Sequence, residues 1–119
     1  MKLVIAYIRP EKLTEVKQAL LREDITKLSV TNALGCGAEK GIHENYRGSE
    51  VEVDLLKRAR LEIAINDQYL DRCVDTIAEH AKTSESPDEQ EQGDGKIFVL
   101  NIADCVRIGD GTRGAPAIG

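Results

Sequence analysis

Twenty residues without a hydrophobic period, 35–54, separate two halves that each read strand–helix–strand. In the first half, 2–8 (KLVIAYI) is a continuous apolar and β-branched run, the signature of a strand buried on both faces. Pro10 opens a helical stretch, where its missing N–H costs nothing. Leu13, Val16, Ala19 and Leu20 then recur at helical spacing through EKLTEVKQALLRE. A second strand follows, with Leu28, Val30, Asn32 and Leu34 alternating against Ser29, Thr31 and Ala33. The second half repeats the order. ARLEIAIN (59–66) puts Leu61, Ile63 and Ile65 on one face of a strand. Asp67 stands where it can cap a helix whose stripe is Leu70, Cys73, Val74, Ile77, Ala78 and Ala81. KIFVLNI (96–102) is the fourth strand.

This order, β-α-β then β-α-β, predicts an α+β fold: the split-βαβ, ferredoxin-like arrangement with two helices on one face of a four-stranded antiparallel sheet. Residues 1–119 read as one domain. It carries a long loop at 37–54, an acidic loop at 83–95 and an irregular tail at 107–119. Leu3, Ile5 and Tyr7 oppose Val4, Ala6 and Ile8, and both sets want burial, but the helices cover only one face. A homo-oligomer packing sheet on sheet resolves the conflict. A monomer with exposed apolar surface is the competing reading.

Composition narrows the function. Sixteen basic residues against twenty-one acidic ones give a net charge of −5, which disfavours direct nucleic-acid binding. With 3% aromatics and no Trp, stacking platforms for bases are not expected. No apolar run approaches the roughly 18 residues of a membrane span, and the N-terminus does not read as a signal peptide. Cys36, Cys73 and Cys105 are widely spaced and include no CxxC, so neither a disulfide framework nor a structural zinc site is expected. A reducing, cytoplasmic location is the default. No catalytic triad, HExxH or carboxylate pair stands out, and enzymatic turnover is not expected. What does stand out is glycine beside a cation: Gly35-Cys36-Gly37-Ala38-Glu39-Lys40-Gly41 leaves a strand, and Gly93-Asp94-Gly95-Lys96 enters one, with Arg107 beyond it. Small residues let backbone N–H groups approach an anion, and Lys or Arg supplies charge. Neither run is a P-loop, and each alone reads more simply as a hairpin or loop glycine with an exposed lysine.

Taken together, IAYIRPEKLTEVKQAL, LSVTNALGCGAEKG, ENYRGSE, VDLLKRARLEI and GDGKIFVLNIADCVRI resemble the PII signal-transduction proteins of nitrogen metabolism, from Met1 to about Arg107. The resemblance implies homotrimers with clefts between subunits where ATP and ADP compete. It also implies 2-oxoglutarate beside ATP through magnesium, and a long loop that docks on a transporter, enzyme or transcription regulator. By position, it implies that Ser29, Gly35, Cys36, Gly37, Ala38, Glu62 and Ala64 surround the adenosine and its approach. Gly93, Asp94, Gly95, Lys96 and Arg107 would face phosphate. Glu39, Lys40, Gly41 and Arg58 would meet an effector, with Glu39 toward magnesium, and Tyr46, Arg47, Gly48, Ser49 and Glu50 would form the docking loop.

The departures from the family pattern are specific. Ala38, Glu91 and Gly109 stand where basic residues are usual, Glu39 replaces a glutamine, Arg58 replaces a lysine and Val51 replaces the modifiable tyrosine, while Tyr46 remains. Each lost charge-assisted contact is worth about 1.5–3 kcal/mol, so a preference for ADP or AMP over ATP, or for another small anion such as bicarbonate, is expected. Arg113 is positioned to fold back as a substitute cation. A metal-binding trimer of the copper-tolerance type, suggested by Cys36 with His43, and a sensing-deficient paralogue are the alternative functions.

Overall fold

The computed structural model describes residues 1–36, 55–83 and 93–119. Strand β1 (Lys2–Ile8) leads through a 3-10 turn at Pro10–Lys12 into helix α1 (Leu13–Arg22). Strands β2 (Ser29–Cys36) and β3 (Leu55–Ile65) follow. A second 3-10 turn, Asp67–Tyr69, opens helix α2 (Leu70–Ala81), and strand β4 (Gly95–Asn101) completes the sheet. The sheet order is β2-β3-β1-β4, and every neighbouring pair is antiparallel. This is the ferredoxin-like arrangement, with both halves' first strands in the centre.

The period of two in β1 and β3 determines which face is buried. Val4, Ala6, Ile8, Ala59, Leu61, Ile63 and Ile65 point to the helix layer and are buried. Val16 and Leu20 of α1, with Cys73, Ile77 and Ala81 of α2, close the core from the other side. Complete burial of side chains such as Leu20, Leu61, Ile63 and Ile77 contributes about 1.5–3 kcal/mol each. Helix α1 stops at a Schellman turn. The Ile25 N–H donates to Leu20 O at 2.9 Å and the Asp24 N–H to Leu21 O at 3.0 Å. Asp24 adopts φ 61°, one of the few non-glycine residue types that tolerate it. Ile25 is thereby returned to the core.

Three local expectations change. Strand β3 begins at Leu55 rather than 59, because Leu56, Arg58 and Arg60 continue the alternation on the face away from the helices. Asp67 makes no side-chain cap; its carboxylate accepts from the Met1 amino group at 2.8 Å. The tail at 107–119 is folded, not irregular. Val106 bridges Arg113, and Ala115–Ile118 forms one helical turn, α3, tied to the domain by Asn66 Nδ2 donating to Ala115 O at 3.1 Å. Pairings among 104–116 supply the order that its glycines do not. The loop at 37–54 and most of the acidic loop, 84–92, lie outside the described residues.

Candidate functional site

The face of the sheet opposite the helices carries the candidate site in rows across the strands. Ser29 lies opposite Glu62, Glu62 opposite Ile5 and Ile5 opposite Phe98. One step along, Thr31, Arg60, Tyr7 and Lys96 form the next row. On the other side of the first row, Ala64, Leu3 and Leu100 line up. Arg60 is the hub. Its Nη2 donates to Glu62 Oε1 at 2.9 Å, its guanidinium lies 5.9 Å from the centre of the Tyr7 ring, and its buried Nε has no partner among the described residues. Tyr7 in turn meets Phe98 edge-to-face, with centroids 6.2 Å apart. Phe98 and Leu100 are 48% and 46% exposed on a single chain.

One end of this face is a turn built to hold backbone close to backbone. Gly93 and Gly95 have φ of 69° and 112°, a region that glycine enters freely. Arg9 is buried immediately after β1, and its Nε donates to Gly93 O at 3.1 Å and pairs with Asp94 Oδ1 at 3.4 Å. From β3, Arg58 Nη2 also donates to Gly93 O, at 3.3 Å, and the Arg58 stem runs past Gly35. Thr83 Oγ1 donates to Asp94 Oδ1 at 2.6 Å. That hydrogen bond is the main reason the Asp94 carboxyl lies below the usual carboxylate range, with Arg9 and Lys82 adding charge. The Asp94 charge is therefore directed at Thr83 and Arg9. Lys96 is exposed and has no ion-pair partner among the described residues.

Thus Gly35, Arg58, Gly93, Asp94, Gly95 and Lys96 are brought together, and Ser29 and Glu62 sit farther along the same face. Arg107 is not with them. From Lys96 to Asn101 the strand covers about 17 Å at 3.4 Å per residue, and Arg107 follows beyond that far end. There its Nη2 donates to Pro116 O at 3.0 Å, beside the α3 turn that Asn66 holds at the end of β3. Arg113 is not a free substitute, because its Nη2 meets Asp104 Oδ2 at 2.6 Å. Gly37, Ala38, Glu39, Lys40, Gly41, Tyr46, Arg47, Gly48, Ser49 and Glu50 lie outside the described residues.

The thiol of Cys73 is fully buried, and burial alone pushes its pKa up to about 11, so it is an inert core group. Sequence reasoning missed Arg9 and Arg60. The only signal for Arg9 is a cation set between an apolar strand and Pro10; for Arg60 it is a cation within a strand whose other face is entirely apolar.

The family model for nitrogen regulatory protein P-II matches residues 1–112. The chain belongs to the P-II family. It is 42% identical over 118 residues to nitrogen regulatory protein P-II 2 of Methanothermobacter thermautotrophicus, covering 99% of this chain and 97% of that protein. It is 42% identical over the same length to P-II of Klebsiella oxytoca and to P-II 1 of Escherichia coli K12, in each case covering the whole of the relative. Membership of the P-II family agrees with the ferredoxin-like fold, and no helix among the described residues is long and apolar enough to cross a membrane.

Proposed function

We propose that the chain is a non-enzymatic, cytoplasmic signal-transduction regulator of the P-II type, acting as a homotrimer. Adenine nucleotide occupies clefts between copies, and the 37–54 loop reports occupancy to a transporter, enzyme or transcription regulator of nitrogen or carbon metabolism. The observation that carries this reading is the division of cations along β4. Arg58 and Lys96 stand at one end of the sheet face opposite the helices and Arg107 beyond the other. One chain cannot close both around one small anion, whereas two copies packed through Phe98 and Leu100 can. The Gly35 and Gly93–Gly95 backbones supply close approach, Lys96 and Arg107 supply charge, and Ser29, Glu62 and Ala64 line the nucleoside end. Glu39 is the residue that would hold magnesium, which would neutralise phosphate and support an oxoacid or bicarbonate effector near Lys40, Gly41 and Arg58.

Three usual phosphate cations are absent at Ala38, Glu91 and Gly109, so calorimetry is expected to give ADP or AMP binding tighter than ATP. Lys96→Ala should weaken ADP about 10- to 100-fold, the equivalent of about 1.5–3 kcal/mol for one charge-assisted contact. ATP binding tighter than ADP and further enhanced by 2-oxoglutarate would contradict the proposed preference. Unchanged ADP affinity in Lys96→Ala would remove the site.

A further inference from the structure

The C-terminal segment holds two aspartates and two arginines between 104 and 113, and it pairs them off internally. Arg107 Nη1 meets Asp110 Oδ2 at 3.2 Å, and Nη2 donates to Pro116 O at 3.0 Å. Asp110 cannot simply swing away, because its Oδ1 accepts from the Thr112 N–H at 2.9 Å. The backbone of the same turn is closed by the Arg107 N–H to Thr112 O and the Gly111 N–H to Arg107 O, both at 2.8 Å. Arg113 does not offset the Asp110 charge, since its Nε and Nη2 both donate to Asp104 Oδ2. Asp104 Oδ1 accepts from the N–H groups of Cys105 and Gly114 and is equally fixed.

Arg107 therefore presents to any incoming anion a guanidinium with two of its five N–H donors spent. A carboxylate is fastened 3.2 Å from the guanidinium. We infer that Asp110 is a specificity-determining residue: it opposes each added negative charge on a nucleotide that approaches Arg107, and so biases the site toward AMP and ADP and away from ATP. The inference rests on the proposed reading that Arg107 faces phosphate. Like charges at close range repel most strongly where water is excluded, so the penalty grows with each phosphate added. The direction of the Asp110 pKa, below the ordinary carboxylate value because of the Thr112 bonds first, keeps the group charged at neutral pH.

The test is calorimetry of ATP, ADP and AMP on the full chain and on Asp110→Asn, which keeps an acceptor for Thr112 and removes only the charge. Asp110→Ser serves as a second neutral variant should the first fail to fold. ATP affinity is expected to rise about 5- to 10-fold, ADP by less and AMP by under about twofold. An unchanged ATP-to-AMP affinity ratio overturns the inference, as does equal weakening of all three, which would make Asp110 only a support for Arg107. If the unaltered chain binds no adenine nucleotide, the functional reading itself falls, a result distinct from normal binding with an unchanged ratio.

Discussion

Replacing Gly95 with alanine is expected to remove about 4 kcal/mol of stability, at the upper end of single-residue effects. A Cβ built on Gly95 would lie 1.8 Å from Tyr7 O and 2.8 Å from the Tyr7 carbonyl carbon. Those are main-chain atoms of the central strand, and they cannot rotate aside. Gly95 also sits at φ 112°, which an L side chain resists. Gly95 faces Ile8 in the register that places Lys96 opposite Tyr7, so β4 would have to peel from β1 where the candidate site begins. Gly93→Ala is the control. Its φ is also positive, at 69°, but an added Cβ meets nothing within 4 Å, so a loss of only about 1–2 kcal/mol is expected. Urea denaturation of the two variants checks the difference. Equal and small losses would mean that the strand ends do not approach as closely as described.

Phe98→Glu is expected to have a comparably large effect on assembly. Phe98 packs on Tyr7 and, with Leu100, forms an exposed apolar strip on a strand whose opposite face sets Ile97 against the core. In a trimer built on that strip, a carboxylate at 98 would be buried without a partner, a cost of several kcal/mol per seam on the scale of broken buried pairs. The nearby cation Arg60 is already committed to Glu62 and cannot serve it fully. Light scattering should show trimer for the unaltered chain and monomer for Phe98→Glu at micromolar concentration, with nucleotide binding lost in parallel. A trimer that persists in the variant would place the seam elsewhere. Leu21, exposed at 60% but on α1 at the opposite side, gives the control, since Leu21→Glu should leave the trimer intact.

Much of this architecture was legible because local pattern and final burial agree. The two-sided apolar run of β1 and the stripe of α2 have one solution each, and the glycines around Lys96 marked the turn that Arg9 and Arg58 now hold. What the pattern could not convey were pairings between distant residues. Nothing local says that Arg9 will be buried against Gly93, that Asp67 will take the amino terminus instead of capping a helix, or that Asp104 and Asp110 will order a glycine-rich tail. The start of β3 was hidden for a related reason. Lys57 and Arg58 interrupt the apolar run before Ala59, and only the finished sheet sets Arg58 beside Arg60 on the face opposite the core, where Arg60 meets Tyr7 and Glu62.

A cleft shared between copies requires that one nucleotide take Lys96 from one copy and Arg107 from another. Lys96→Ala and Arg107→Ala should each bind ADP weakly alone. Unfolded together and refolded as mixed trimers, they should regain unaltered ADP affinity at about a quarter of the seams, those that pair an intact Lys96 with an intact Arg107. No recovery of tight binding in verified mixed trimers would contradict a cleft shared between copies.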